Sequence, residues 1–147
     1  AGILSRESLG AIATTGFDSL RRQFEVNALG PLRVAQALLE QLGAGSKIGI
    51  ITSRMGSIAD NDSGGYYGYR ASKAAVNAIG KSLAIDLKPR GIGVFLLHPG
   101  YVATDMVDGT GDISPAVAAE RLVGVLDRLD IGQTGTFWHS NGSALPW

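Results

Sequence analysis

Tyr69 and Lys73 are the two side chains of this sequence whose types and spacing best suit proton transfer. Residues four positions apart lie on one face of a helix, one turn from each other. A free phenol has a pKa of about 10, too high for proton exchange at neutral pH, and a fixed ammonium nearby favours the phenolate and lowers that pKa. The spacing therefore predicts an acid–base pair, although the same pattern also occurs on ordinary solvated helix surfaces.

Ser53 and Asn27 are two further polar residues at informative positions. Ser53 follows a short apolar run, and ligands bind at the carboxyl ends of parallel strands, where its hydroxyl could polarise a carbonyl. The alternative is an ordinary loop hydroxyl. Asn27 interrupts a helical pattern in which asparagine is a poor choice, and such local violations often mark function. It could equally be an amide that fixes a bend near Pro31.

A Pro99-Gly100 turn follows a second apolar run and leads to Val102 and Thr104. Exposed backbone N–H and C=O groups at this turn could bind an amide-bearing ligand, or the turn could be a simple chain reversal. His98 and His139 are interpreted as packed side chains of strands. Neither belongs to a hydrolase-like arrangement or to a cluster with metal-ligand spacing, so no metal site is expected.

The helices that would position these residues are predicted from apolar periodicity. The pattern covers 17–42, with a bend at Gly30-Pro31, and then 67–88. A third helix begins at Ser114-Pro115, which combines an N-cap residue with a first-turn proline. The inner face of this third helix is predicted to contain Val117, Leu122, Val125, Leu126 and Leu129.

Short apolar runs predict strands over 47–52, 92–98 and 135–139. The first two runs are almost entirely apolar, as expected for parallel strands that are covered on both faces. Alternation of helix and strand predicts an α/β fold with a parallel sheet and right-handed crossovers, and 1–147 is expected to form a single domain.

The composition excludes several functional classes. Lys plus Arg and Asp plus Glu both number 13, so no positive excess exists to neutralise phosphates, and nucleic acid is not an expected partner. The absence of cysteine excludes disulfide and thiolate chemistry and fits a cytoplasmic location. No apolar run reaches the roughly 18 residues of a membrane span, so a membrane is not an expected partner either.

Taken together, these residues resemble the classical short-chain dehydrogenase/reductase family. Asn27, Ser53, Tyr69 and Lys73 match its catalytic tetrad in the same order, although Ser53 precedes Tyr69 by 16 positions, a few more than is usual. The turn from Pro99-Gly100 to Thr104 is similar to its nicotinamide-side loop, and Ala1-Gly2 is similar to the end of its Asn-Asn-Ala-Gly motif. The strings 54–57 and 63–67 most resemble the branch of C-factor-like proteins and sniffer-type carbonyl reductases.

The resemblance implies roles for the matched residues. Tyr69 would be the general acid in reduction and the base in oxidation, while Lys73 would lower its pKa and bind the nicotinamide ribose. Ser53 would bind the substrate carbonyl, and Asn27 would hold a water that links Lys73 to solvent. The implied cofactor is NAD or NADP, bound by Ala1, Gly2, Tyr69, Lys73, Pro99, Gly100, Val102 and Thr104. The implied substrate is a small carbonyl compound or alcohol, and the implied assembly is a homodimer or homotetramer.

The glycine-rich cofactor fingerprint of this family is absent from the 147 residues. The expected fold is therefore the C-terminal part of a Rossmann-type, doubly wound, three-layer α/β/α sheet that lacks the N-terminal nucleotide-binding half. The start at Ala1 is interpreted as a cut, and the isolated chain is expected to be inactive. One alternative is a non-enzymatic fragment acting in signalling or assembly. An extended epimerase or dehydratase is disfavoured, because the sequence after Lys73 leaves no room for a sugar-binding domain.

Overall fold

The computed structural model describes residues 2–10 and 17–147. The main elements are α1 (Asp18–Phe24), a π-helical segment (Glu25–Leu29), α2 (Gly30–Ala37), β1 (Lys47–Ile51), α3 (Tyr67–Leu87), β2 (Gly93–His98), α4 (Pro115–Arg128) and β3 (Phe137–His139). Single 3-10 turns follow α2, β1, α3, β2 and α4. No helix in these described ranges is long and apolar enough to cross a membrane.

The three strands form one parallel sheet in the order β1-β2-β3. Ile50 of β1 pairs with Leu96 of β2, which in turn pairs with Phe137 of β3. Since all strands run in the same direction, their carboxyl ends meet at one edge of the sheet. The residues that follow β1 and β2 are thereby brought together, as the sequence predicts.

Helices cover both faces of this sheet, which confirms the three-layer α/β/α arrangement. Val94 and Leu96 point from β2 into a core shared with Val76 of α3. Phe95 and Leu97 point the other way, into a core that contains Val125 of α4. Alternation of side chains along a strand produces this division.

The predicted handedness is wrong for one of the two crossovers. The strand order advances in one direction, but the connecting helices α3 and α4 lie on opposite faces. Two such connections necessarily have opposite hands, so they cannot both be right-handed. Apolar periodicity predicts that a helix covers the sheet, but it carries no information about which face the helix covers.

The prediction that β1 is covered on both faces is also wrong for the described chain. Ile50 is buried, but Ile51 is 41% exposed, and Lys47 and Gly49 are exposed as well. β1 has β2 on one side only and, among the described residues, no strand on the other, so it is an edge strand of this sheet. β2 lies in the middle of the sheet and is buried along almost its whole length.

The expected interruption at Gly30-Pro31 takes the form of a π-helical segment just before it. The N–H of Gly30 bonds to the carbonyl of Glu25, five residues back. Pro31 has no N–H, and its ring would clash with the carbonyl four residues earlier, that of Asn27. The wider turn avoids this clash while the helix continues into α2, and it places Asn27 at the centre of the irregular segment.

Ser114 caps α4 as predicted, because its hydroxyl accepts a hydrogen bond from the N–H of Val117 at 3.3 Å. The predicted inner face is correct for Val125 and Leu129, which are both buried. It is wrong for Val117, which is 36% exposed, whereas the neighbouring Ala118 is buried. In the first turn of α4 the buried side is therefore one residue further along the chain than the apolar pattern predicts.

Candidate active site

The first two turns of α3 hold Tyr69 and Lys73 below the protein surface. Tyr69 is 8% exposed and Lys73 is 4% exposed. Gly56, in the turn after β1, permits this placement, because a Cβ atom there would lie 2.7 Å from the backbone carbonyl carbon of Lys73. The 3-10 turn after β1 and the helix α3 thus meet at a contact that only glycine allows.

Lys73 and Tyr69 approach each other in the manner that their spacing predicts. The ammonium nitrogen Nζ of Lys73 lies 5.6 Å from the centre of the Tyr69 ring. The same ammonium donates a hydrogen bond of 3.2 Å to the carbonyl oxygen of Ile51, the last residue of β1. This bond fixes the lysine between the strand end and the tyrosine.

Ser53 reaches the same place from the other side of the turn. It is buried at 7% exposure, and its hydroxyl accepts a hydrogen bond of 3.2 Å from the N–H of Met55. It also lies near Tyr69, whose pKa it acts to lower. The structure therefore brings together the serine, the tyrosine and the lysine that the sequence singled out.

The electrostatics of the pair differ from the expectation that lysine lowers the pKa of the tyrosine. Burial raises the pKa of Tyr69 above 10.0, and the interaction with Ser53 only partly opposes this rise. Burial also lowers the pKa of Lys73 to about 8. Desolvation disfavours the charged form of both groups, and it outweighs the attraction between ammonium and phenolate in the described chain.

Asn27 lies in the same region, but its side chain is engaged with protein. Its Oδ1 accepts a hydrogen bond from the N–H of Ile3, and its Nδ2 donates to the carbonyl of Ile3, both at 2.8 Å. Nδ2 also donates to the hydroxyl of Ser72 at 3.0 Å, and that hydroxyl donates to the carbonyl of Tyr69. The amide thus fastens Ile3 to α3, with both of its N–H groups and one lone pair of Oδ1 in use.

Gly2 passes directly over the lysine. A Cβ atom there would lie 3.3 Å from Oδ1 of Asn27 and 3.7 Å from Nζ of Lys73. The chain can therefore pass this close to the site because Gly2 has no side chain. Ala1, the other residue predicted at this end of the chain, lies outside the described residues.

The loop after β2 forms another wall of the site. Gly100 has φ +96°, a left-handed conformation that favours glycine, and the carbonyl of Pro99 accepts a hydrogen bond of 2.7 Å from Ser140. Val102 makes an isolated parallel bridge to Ile113. Thr104 precedes a 3-10 turn, and its carbonyl accepts hydrogen bonds from the backbone N–H groups of residues 107 and 109. The loop is thus held by its own backbone while its residues face the site.

These elements enclose a cleft of about 960 Å³. Ser53, Tyr69 and Lys73 line it together with Gly2, Pro99, Gly100, Val102 and Thr104. Asn27 does not line the cleft and lies behind it. The cleft is large enough for a small organic molecule together with part of a cofactor.

His98 packs at the end of β2, as predicted, but it also lies beside the cleft. It lines the cleft, and its ring meets that of His139 edge to face at 4.9 Å between centroids. Burial, with a smaller contribution from His139, lowers the pKa of His98 to about 4. Its Nδ1 is buried and has no hydrogen-bond partner among the described residues. Strand-end packing was correctly predicted, but the position beside the cleft was not.

Sequence reasoning also missed residues that support the site. Ser72 connects Asn27 to the helix of Tyr69. The available signal was a serine in a helix interior, where its hydroxyl can bond a backbone carbonyl. Arg54 and Arg70 line the cleft as well. Their charges beside the catalytic strings were the available signal, but arginine next to a loop is usually solvated.

Comparison with known proteins places this arrangement among oxidoreductases. The family model described as Enoyl-(Acyl carrier protein) reductase matches residues 1–144. The chain is 45% identical to a 1-hydroxy-2-glutathionyl-2-methyl-3-butene dehydrogenase from Rhodococcus sp. (strain AD45), with 100% of the chain and 66% of that protein covered. It is 40% identical to a protein called C-signal from Myxococcus xanthus, with 93% and 84% covered.

Solved structures give the same result. The carbonyl reductase Sniffer of D. melanogaster has a TM-score of 0.90 at 32% identity, covering 100% of this chain and 64% of that one. An NADPH-bound carbonyl reductase from chicken fatty liver has a TM-score of 0.88 at 28% identity, covering 100% and 63%. The chain thus spans about two thirds of the length of these two structures and of the Rhodococcus relative.

The relatives include both a C-signal protein and a sniffer-type reductase, which confirms the branch that the short motifs around Ser53 and Tyr69 indicate. The Rossmann-type fold is likewise confirmed by the structures. On these matches, and on the family model that covers almost the whole chain, the protein belongs to the short-chain dehydrogenase/reductase family.

Proposed function

We propose that residues 1–147 form one domain that carries the catalytic residues of an NAD- or NADP-dependent reductase of small carbonyl compounds, working in the full-length gene product. The observation that carries this proposal is the burial of Tyr69 and Lys73 beside Ser53 in one cleft. The bound NADPH of the chicken carbonyl reductase supports a nicotinamide cofactor.

The cleft fits such a cofactor at its nicotinamide end. Gly2 leaves space beside Lys73 where a side chain would intrude, and the loop from Pro99 to Thr104 lines the same cleft, where it could contact a carboxamide. Lys73 donates to Ile51, and two N–H groups of its ammonium have no partner in the described parts of the chain. These donors suit ribose hydroxyls. When bound, the cofactor supplies or accepts the hydride.

In this proposal Ser53 and Tyr69 act on the substrate oxygen. The Ser53 hydroxyl hydrogen-bonds the carbonyl oxygen and stabilises the negative charge that develops there. The Tyr69 hydroxyl donates its proton to the same oxygen. Since burial raises the pKa of Tyr69, the phenol keeps its proton at neutral pH and is ready to act as the acid in reduction.

Lys73 and Asn27 support the tyrosine. The Lys73 ammonium favours the phenolate that remains after proton transfer. The side chain of Asn27 is engaged, but Pro31 cannot donate the usual helical hydrogen bond to its backbone carbonyl. We assign the proton-relay water to that carbonyl, and we assign the side chain to holding the segment at Ile3.

The assembly and location proposed for this protein rest on other observations. Several large apolar side chains of the region 17–38 and of α3 remain exposed, namely Phe17, Val34, Leu38 and Ile85. We propose that these helices pair with their copies in a homodimer or homotetramer, since self-complementary contacts between identical surfaces are the commonest route to oligomers. The absence of cysteine supports a cytoplasmic location.

A substitution of the proposed acid tests the function. In the full-length gene product, Tyr69→Phe should lower kcat for aldehyde reduction by about 10²- to 10⁴-fold, because the proton donor is lost. Tyr67→Phe is the matched control, since this neighbouring tyrosine is 41% exposed. Consumption of NADH and NADPH is the assay. Near-normal kcat in Tyr69→Phe would contradict the assignment of the acid.

A non-enzymatic role in signalling is the second candidate, favoured by the 40% identity to the protein called C-signal. The buried acid–base pair argues against it, because burial of a lysine destabilises a fold that has no use for it. The test is to delete the gene and then supply the Tyr69→Phe variant. If the deletion removes a cellular phenotype and the variant restores it fully, the signalling role is favoured. Failure of that variant to restore the phenotype would favour catalysis.

A further inference from the structure

One wall of the cleft carries two arginines that the proposed mechanism does not use. Arg54 lies in the turn after β1, and Arg70 directly follows Tyr69 in α3. Both line the same cleft as Ser53 and Tyr69. Their guanidinium groups are therefore available to a molecule whose carbonyl oxygen rests on the catalytic residues.

Arg54 is oriented by a carboxylate. Its Nη2 donates to Oδ1 of Asp60 at 3.1 Å, while its Nε donates to the other carboxylate oxygen. The contact with Arg54 lowers the pKa of Asp60, so this acid stays ionised and its charge is compensated. A guanidinium has five N–H groups in a rigid fork, and this two-point contact occupies only the Nε–Nη2 edge.

Arg70 is oriented as well, but by neutral groups. Its Nε donates to the carbonyl of Gly64 at 3.3 Å, and its Nη2 donates to the hydroxyl of Ser63 at 2.7 Å. Among residues 2–10 and 17–147, no carboxylate lies within 4 Å of this guanidinium. Arg70 is therefore a half-buried positive charge that is fixed in direction and has no carboxylate in direct contact among the described residues, although its charge adds to that of Arg54 in lowering the pKa of Asp60.

The remaining charged groups of the cleft form no ion pair with Arg70. Arg6 is paired with Asp108 at 3.0 Å. Asp105 belongs to the loop after β2, and the structure records no ion pair between it and Arg70. Lys73 is committed to the tyrosine and to Ile51. Asp62 acts on Arg54 from a longer distance, so two carboxylates balance the charges of the two arginines. Among the described residues, Arg70 is nevertheless the arginine of this wall that has no carboxylate bonded to its guanidinium.

We propose that the substrate carries a carboxylate in addition to its reactive carbonyl, and that Arg70 binds this carboxylate with Arg54 beside it. The inference rests on the proposed function, since it concerns the substrate of the same cleft. Arginine suits this task because its planar fork matches the two oxygens of a carboxylate. Arg70 is then a specificity-determining residue, separate from the acid–base chemistry of its neighbour Tyr69.

Two substrates that differ only in charge test this proposal. They are 4-carboxybenzaldehyde and its uncharged methyl ester, methyl 4-formylbenzoate. The full-length gene product should show a lower KM for the acid than for the ester. Arg70→Gln should raise KM for the acid by about tenfold or more, as loss of a charge-assisted hydrogen bond does. The same variant should leave KM for the ester unchanged. kcat should stay within about twofold for both.

The controls separate recognition from structural damage. Arg21→Gln removes an exposed arginine that is paired with Asp18 and does not line the cleft, so it should leave KM unchanged for both the acid and the ester. Arg70→Lys keeps the charge and should therefore retain part of the preference for the acid over the ester. Equal losses for acid and ester in Arg70→Gln, or equal KM values for both substrates in the unaltered protein, would overturn the proposal.

A binding measurement keeps the two proposals distinguishable. Addition of 4-carboxybenzaldehyde should shift the Nε–H NMR signal of Arg70, and addition of the ester should not, whether or not turnover occurs. Absence of that shift overturns the substrate class. If the ester and other neutral aldehydes are reduced and Tyr69→Phe stops their reduction, the proposed function stands while the carboxylate inference fails.

Discussion

Replacement of Lys73 by methionine should make the protein more stable at neutral pH while removing its activity. Lys73 is 4% exposed, and in the described chain its ammonium makes a single hydrogen bond, to the carbonyl of Ile51. Methionine has a similar length and no charge, so it can occupy the same space without the desolvation that the ammonium suffers. The site would lose a group needed only for catalysis.

The magnitude follows from the pKa of Lys73, which burial lowers from 10.5 to about 8. Each pKa unit corresponds to about 1.4 kcal/mol, so the buried ammonium costs about 3 kcal/mol relative to an exposed one. Loss of its hydrogen bond to Ile51 offsets about 1.5 kcal/mol of this amount. Lys73→Met should therefore raise the free energy of unfolding at pH 7 by about 2 kcal/mol.

The pH dependence provides an internal check. Below pH 8 the lysine is protonated in the folded and unfolded states, and the cost of burial is present in full. Between pH 8 and 10.5 the unfolded state binds more protons, so the free energy of unfolding of the lysine-containing protein rises with pH. Tyr69, whose raised pKa stabilises the fold only at lower pH, opposes this rise above pH 10. The useful window is pH 8 to 10.

Urea denaturation of the full-length gene product without cofactor, repeated from pH 7 to pH 10, is the assay. The advantage of Lys73→Met should shrink across the window, because other titrating groups contribute equally to both proteins. Lower stability of the methionine variant at pH 7 would refute the reasoning, and so would a constant difference between the two proteins.

Three further predictions concern other parts of the structure. Gly56→Ala should lower the free energy of unfolding by about 1–3 kcal/mol, because a Cβ there would meet the backbone of Lys73 at 2.7 Å. Gly43→Ala is the control: a Cβ at Gly43 would have no atom within 4 Å, so the free energy of unfolding should change little in the same urea titration. The imidazole of His98 should stay neutral down to about pH 4 in an NMR titration, so stability is lost as pH falls from 6.5 towards 4; titration near pH 6.5 would contradict the burial argument. Light scattering of the full-length gene product at micromolar concentration should show a dimer or tetramer, and a lone monomer would contradict pairing of the exposed helices.

Local sequence patterns were sufficient to predict the elements and the pair Tyr69 and Lys73. Apolar runs indicate strands, and a four-residue spacing depends only on the geometry of a helix. Ser53 was predictable for the same reason, since it follows a run that forms β1. These features require no knowledge of what packs against them.

Features that depend on distant residues could not be predicted in this way. The partner of the Asn27 amide is the backbone of Ile3, 24 positions away, and nothing in either string indicates this contact. The raised pKa of Tyr69 results from burial by several elements, whereas the sequence shows only the nearby lysine. The side of the sheet that α4 covers and the exposed edge of β1 are likewise properties of the assembled layers.

Transfer of a labelled hydride tests the central claim most directly. The full-length gene product would be incubated with methyl 4-formylbenzoate and with NADH or NADPH carrying deuterium at C4 of the nicotinamide, and the alcohol would be analysed by mass spectrometry and NMR. Direct transfer predicts that the alcohol carries one deuterium on its carbinol carbon when the label is on one face of the nicotinamide and none when it is on the other. The Tyr69→Phe variant should not form the labelled alcohol. Alcohol without deuterium from either labelled face, or labelled alcohol formed equally well by Tyr69→Phe, would contradict the account.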